Sequence, residues 1–134
     1  MNHDVLMKEA IKLSIKNTEN EGGPFGAVIT KNGEIVSKSV NRVTKDIDPT
    51  AHAEILAIRE AAKQLKTFDL SGCVIYCSCE PCPMCLGAIY WARIDKIYMR
   101  ATGLMQKNMD SMMNIYIKRL ICLSDKEKFL LANY

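Results

Sequence analysis

The 134-residue chain has no long apolar run; its hydrophobic stretches are short and broken by charge, so no membrane-spanning helix is expected. Its start, MNHDVLMKEA, lacks a basic segment followed by an apolar one. A secretory signal is therefore not expected, and a cytoplasmic location is. No repeat, low-complexity tract or Gly/Ser linker divides the sequence, which implies one domain over residues 1–134. An excess of one charge is nearly missing as well: Lys and Arg outnumber Asp and Glu by 18 to 15. Residues 1–92 carry 10 basic and 11 acidic side chains, and residues 93–134 carry 8 and 4, so the basic surplus lies in the last third. Such a tail can meet phosphate or simply be a solvated surface. Histidine is scarce, with His3 and His52 the only two.

What is present is the material of a compact α/β domain, 49% hydrophobic and 25% charged. From residue 2 to about residue 20, Leu6, Ala10, Leu13 and Asn17 recur at helical spacing, and Gly22, Gly23 and Pro24 end that helix. FGAVIT and EIVSKSV, joined by Lys31-Asn32-Gly33, read as a hairpin, because Asn-Gly tolerates the positive φ of a tight turn. DPTAHAEILAIREAAKQL reads as a helix capped by Asp48, with Pro49 in the first turn and Ile55, Ile58, Ala62 and Leu65 along one face. CVIYCS follows as a short strand, Pro83 opens a helix through MCLGAIYWA, and DKIYMR is a further strand. Past Gly103, NIYIKRLICL fits a strand or a helix, and DKEKFLLANY fits a closing helix.

Six cysteines in a reducing compartment are metal ligands, catalytic groups or core residues rather than a disulfide framework. Cys73, Cys77 and Cys122 lie in or beside apolar runs and read as core. Cys82 and Cys85 stand three apart at a helix start, where their sulfurs share a face and the positive end of the helix favours thiolate. An iron–sulfur run through Cys79 lacks the further Cys and Pro that such a run needs. A redox C-x-x-C pair and a zinc site both remain open, and zinc needs another ligand. His3, near the terminus, reads as an exposed bystander.

His52 is placed differently, opening a helix in TAHAEI with Glu54 two residues on. Alone, each has an ordinary reading: a surface or core histidine, and an acid near a helix N-terminus. Together, H-A-E opening one helix and P-C-P-M-C opening the next form the H-x-E and P-C-x-x-C signature of zinc deaminases. One imidazole and two thiolates give Zn²⁺ three protein ligands, which leaves a fourth position for water, as catalytic rather than structural zinc requires. Glu54 is the acid–base candidate. Residues two apart on an ideal helix point about 200° apart, so His52 and Glu54 serve one cavity only if the first turn is irregular or Glu54 reaches back.

Through GGPFGAVI, NRVTKDIDPTAHAEI and SCEPCPMCLGAIYWARIDKIY, the sequence resembles the cytidine-deaminase-like superfamily of zinc hydrolases, in its guanine deaminase and tRNA adenosine deaminase branch. The resemblance implies a three-layer α/β/α fold with a mixed five-stranded sheet, one zinc per chain, hydrolytic deamination and a homodimer. It assigns zinc to His52, Cys82 and Cys85 and proton shuttling to Glu54. Phe25 would stack on the base, Asn41 would hydrogen-bond it, Ala53 would offer backbone contacts, and Trp91 would wall the pocket. As plain residues, Phe25 and Trp91 could be core aromatics, and Asn41 could close a turn.

GGPFGAV and CLGAIYWAR look more like guanine deaminases than tRNA adenosine deaminases. The leading expectation is thus guanine going to xanthine and ammonia, a small-molecule purine base being the partner. A tRNA adenosine deaminase is the alternative, to which Lys118, Arg119, Lys126 and Lys128 could contribute a basic surface. Cytosine or another aminated heterocycle is third. A zinc-stabilised binding module without turnover is the non-enzyme reading. After Arg100, where guanine deaminases supply an aromatic and a carboxylate, the nearest stretch is NMDSMMNIY, with Asp110 and with Met109 in the aromatic's place; the chain ends on Tyr134. Met105 to Met113 reads as adaptable packing or a lid.

Overall fold

The computed structural model describes residues 2–99 and 107–108. The readings of Asp110, Tyr134, Cys122, the methionine cluster and the two C-terminal segments lie outside these residues. Helix α1 spans His3–Glu19, strands β1 and β2 span Gly26–Lys31 and Glu34–Val40, and a one-turn α2 spans Val43–Asp46. Helix α3 (Ala53–Leu65), β3 (Cys73–Cys77), α4 (Pro83–Ala92), β4 (Lys96–Met99) and the two-residue β5 (Lys107–Asn108) follow. Among the described residues no helix is long and apolar enough to cross a membrane.

The sheet runs β2-β1-β3-β4-β5. It is mixed: β1 is antiparallel to both β2 and β3, whereas β3 and β4 are parallel, with α4 making the crossover. Four strands of four to seven residues carry it. Among the described residues the fifth strand is limited to Lys107 and Asn108, which pair antiparallel to β4. Strand alternation divides the core in two. Ala27, Ile29, Ile75, Cys77, Ile97 and Met99 face α3 and α4, meeting Ala57, Ala61, Leu86 and Ile89. Val28, Tyr76 and Tyr98 face the other way, onto Leu6, Met7 and Ala10 of α1. Helices therefore cover both faces, and each fully buried Ile or Leu contributes about 1.5–3 kcal/mol.

Local chemistry explains most boundaries. Asn2 caps α1, its side chain accepting the Val5 N–H at 2.9 Å. Asn32 and Gly33 both take positive φ, 53° and 80°, as a tight hairpin turn requires. Gly26 lets α1 lie directly on β1, since a Cβ there would stand 2.4 Å from the Ala10 carbonyl oxygen. His3 is exposed, as read, but it is not a bystander: its ring stacks on Tyr98 at 4.3 Å and hydrogen-bonds the hydroxyls of Tyr76 and Tyr98.

The start of α3 differs from the sequence expectation. Asp48 caps no helix; its carboxylate accepts the Thr50 N–H and hydroxyl at 2.8 and 2.7 Å, closing a turn. The Ala51 carbonyl accepts the Arg42 N–H at 2.9 Å, which holds the chain extended, and the helix begins only at Ala53. His52 is its N-cap, with φ −71° and ψ 153°.

Candidate active site

The extended backbone at His52 resolves the problem of two residues spaced badly for one cavity. His52 lies outside the helical turn and Glu54 inside it, so the 200° separation does not apply. Both reach the same point. The helix starts of α3 and α4 meet there, and Cys82 is the N-cap of α4, accepting the Cys85 N–H on its sulfur at 3.5 Å. Pro83, at the first helical position, needs no partner for its nitrogen. The positive ends of both helices thus face the two sulfurs.

His52 Nδ1 lies 3.6 Å from Cys82 Sγ and 3.4 Å from Cys85 Sγ. Tetrahedral zinc, at about 2.0–2.1 Å from nitrogen and 2.3 Å from sulfur, separates such ligands by about 3.6 Å. The three ligand atoms all lie within 4.8 Å of one another. Among the described residues, this cluster of possible metal ligands has no fourth member. The donor set therefore fits zinc bound by three residues with one position left open, as the sequence reading required. Coordination through Nδ1 places the ring proton on Nε2.

Electrostatics point the same way. Cys85 is buried, and its thiol is pushed far up, first by burial, then by the charge of Glu54 and by Cys82. Two sulfurs and a carboxylate in one buried site repel one another's charges, and a divalent cation reverses that balance. Glu54 is itself only 6% exposed. Burial raises its carboxyl above the ordinary value, opposed by a hydrogen bond with Cys85 and by the nearby His52. A buried carboxyl beside a metal set that does not include it is placed to handle protons.

Phe25 and Asn41 come to the same end of the sheet. Gly26 pairs with Val40, and Ala27 with Cys77, so the residues before β1, after β2 and after β3 share one edge. Two ties connect them to the ligands. The Ser78 N–H donates to the Gly26 carbonyl and the Gly26 N–H to Ser78 Oγ, both at 3.0 Å, joining Phe25's segment to the loop that carries Cys82. Arg42, next to Asn41, bonds Ala51, next to His52. Asn41 does close a turn, Oδ1 accepting the Val43 N–H at 3.1 Å, and its backbone N–H bonds the Phe25 carbonyl at 3.2 Å. Phe25 is 38% exposed, and Ala53 is wholly buried in the first turn of α3.

Trp91 is placed differently. It is 80% exposed, in the last turn of α4, and touches Tyr90 edge to face. Cys85 is six residues back along that helix, about 9 Å. Among the described residues Trp91 is on the outer surface, because α4 turns this face away from the sheet. Cys73 and Cys77 are fully buried core residues, as expected. Sequence reasoning missed Ser78 and took Asn17 only as part of a helix face; the one available signal was a polar residue at an apolar stripe position.

A sequence model of the cytidine and deoxycytidylate deaminase zinc-binding region matches residues 1–101. Guanine deaminase of Bacillus subtilis is 52% identical over 102 residues, 75% of this chain; the chain spans 65% of that relative's length. Its crystal structure superposes with a TM-score of 0.74 over the same shares of the two chains. The tRNA-specific adenosine deaminase of Aquifex aeolicus is 41% identical over 115 residues, 86% of this chain and 76% of its own. The structure of guanine deaminase from Nitrosomonas europaea gives 34% identity and a TM-score of 0.69, covering 72% of this chain and 57% of that one.

Proposed function

The chain belongs to the cytidine and deoxycytidylate deaminase zinc-binding family, and from that premise we propose that it hydrolyses guanine to xanthine and ammonia. The observation that carries this reading is the convergence of His52, Cys82 and Cys85 beside a buried Glu54. His52, Cys82 and Cys85 would hold the zinc, which would supply the Lewis acidity that makes bound water far more acidic than bulk water. Glu54 takes a proton from water as the water oxygen adds to the amine-bearing ring carbon. It then gives that proton to the departing nitrogen, the C–N bond breaks, and ammonia leaves.

The base is held by residues at the same sheet edge. Phe25 offers its ring as a stacking face. Asn41 has its N–H committed to the Phe25 carbonyl, its carbonyl to the Asn17 side-chain amide and its Oδ1 to the Val43 N–H. Its amide NH₂ is left to donate to an acceptor on the purine edge. Ala53 opens α3, where the first N–H groups have no partner within the helix and can meet the base. Discrimination follows from hydrogen bonds, since the wrong base leaves buried site groups unpaired.

A homodimer is part of this proposal. Helix α4 has no charged residue, yet it leaves Met84, Tyr90 and Trp91 exposed. A helix apolar all round is normally covered, and a second copy of the chain is the occupant proposed. The second reading, deamination of adenosine in tRNA, is favoured by the length of the match to the Aquifex enzyme. The basic residues called on for it, Lys118, Arg119, Lys126 and Lys128, lie outside the described residues. Zinc analysis followed by ammonia release from guanine, adenine, cytosine, their nucleosides and a tRNA anticodon stem tests both. Turnover of guanine supports the main reading; an inert guanine with a reactive tRNA replaces it by the second.

A further inference from the structure

Asn17 is in the last turn of α1, only 3% exposed on the face that packs against the sheet. Its Nδ2 donates twice, to the Gly23 carbonyl at 2.8 Å and to the Asn41 carbonyl at 2.9 Å. These carbonyls come from the two segments that present Phe25 and Asn41. The segments are also joined directly, the Asn41 N–H donating to the Phe25 carbonyl and the Phe25 N–H to that of Gly23. One amide group therefore closes a ring of bonds running Gly23, Phe25, Asn41. Gly22 locks the amide in place: its N–H bonds the Asn17 carbonyl at 2.8 Å, and a Cβ on Gly22 would stand 2.4–2.6 Å from the Asn17 side chain.

We propose that Asn17 is a positioning residue for the base pocket, fixing the spacing of Phe25 and Asn41 without touching substrate. The inference rests on Phe25 and Asn41 holding the base in the deamination proposed above. The chemistry is specific to asparagine. Two facing acceptors need two N–H donors from one atom; Ser supplies one donor, and Asp, nearly the same shape, sets acceptors against acceptors. Slack in this ring displaces the base-holding groups and leaves His52, Cys82, Cys85 and Glu54 where they are. The effect belongs on KM rather than on the chemical step.

The test measures kcat per bound zinc and KM for guanine in the full chain and in Asn17→Asp, Asn17→Ser and Phe25→Ala. Expected is a graded rise in KM, about tenfold for Asn17→Asp and about threefold for Asn17→Ser, with kcat per bound zinc within about twofold of the parent. A merely structural role would lower the zinc-loaded fraction and leave KM alone. Where Asn17→Asp fails to load zinc, Asn17→Ser, which keeps one donor, carries the test. A raised KM in Phe25→Ala with an unchanged KM in the Asn17 variants overturns the positioning role alone. An unchanged KM in Phe25→Ala, or a parent inert on guanine, overturns the pocket reading and this inference with it.

Discussion

Gly26 joins the site to the packing of α1, and adding one methyl group there tests both. A Cβ at residue 26 would meet the Ala10 carbonyl oxygen at 2.4 Å, Leu13 Cβ at 2.9 Å and the Ser14 nitrogen at 3.0 Å. Two of these are backbone atoms in the middle of a helix, which no rotamer change can move. Helix α1 must lift by half an ångström or more, loosening the contacts of Leu6, Met7 and Ala10 with Val28 and Tyr76. Overpacking of this kind destabilises by about 1–3 kcal/mol, while reduced freedom of the unfolded chain returns about 0.4–1 kcal/mol. Gly26→Ala is therefore expected to lose about 1–2 kcal/mol, lowering the urea midpoint with the slope unchanged. Its control is Gly87→Ala in α4, where a Cβ meets nothing within 4 Å. There the helix preference for Ala gives a gain of about 1 kcal/mol. Because Gly26 follows Phe25 and bonds Ser78, Gly26→Ala should also raise KM for guanine, whereas a methyl at Gly87 should not. A neutral or stabilised Gly26→Ala would refute the close approach of α1 to β1.

Glu54→Gln should keep its zinc and lose about 10²- to 10⁴-fold in kcat, because the proton carrier is removed and no metal ligand is; metal analysis beside ammonia release checks this, and unchanged turnover rejects the shuttle. Removing zinc with a chelator should abolish turnover and lower the melting temperature, both restored by added Zn²⁺, since the cation offsets a buried set of like charges. Burial pushes the thiols of Cys73 and Cys77 up. The folded chain thus keeps both protonated where the unfolded chain ionises them, and stability should fall as pH rises through the unfolded thiol value of about 8.5. Urea titrations at pH 7 and pH 10 read this out, and Cys77→Ala should flatten the difference. Sedimentation should find a dimer, shifted towards monomer by Trp91→Lys; an unaltered assembly state would exclude the α4 face as its interface.

Residue order alone determined the elements whose signals are local. The apolar stripe of α1, the Asn32-Gly33 turn, Pro83 at the start of α4 and the short strands in FGAVIT and CVIYCS each depend on neighbours a few positions away, and each is found as read. The pairing of H-A-E with P-C-P-M-C was likewise legible, because three metal ligands and an acid leave a spacing that few other chemistries need. Tertiary structure decided what depends on distant partners. Asp48 turned to Thr50 and Ala51 bonded Arg42, so α3 starts at Ala53 and His52 is free to face Cys82 and Cys85. His3 found two tyrosines on neighbouring strands, and Asn17 found two carbonyls on separate segments. Periodicity reports which face of an element is apolar; where a polar side chain finds its partner depends on chain segments that only folding brings together.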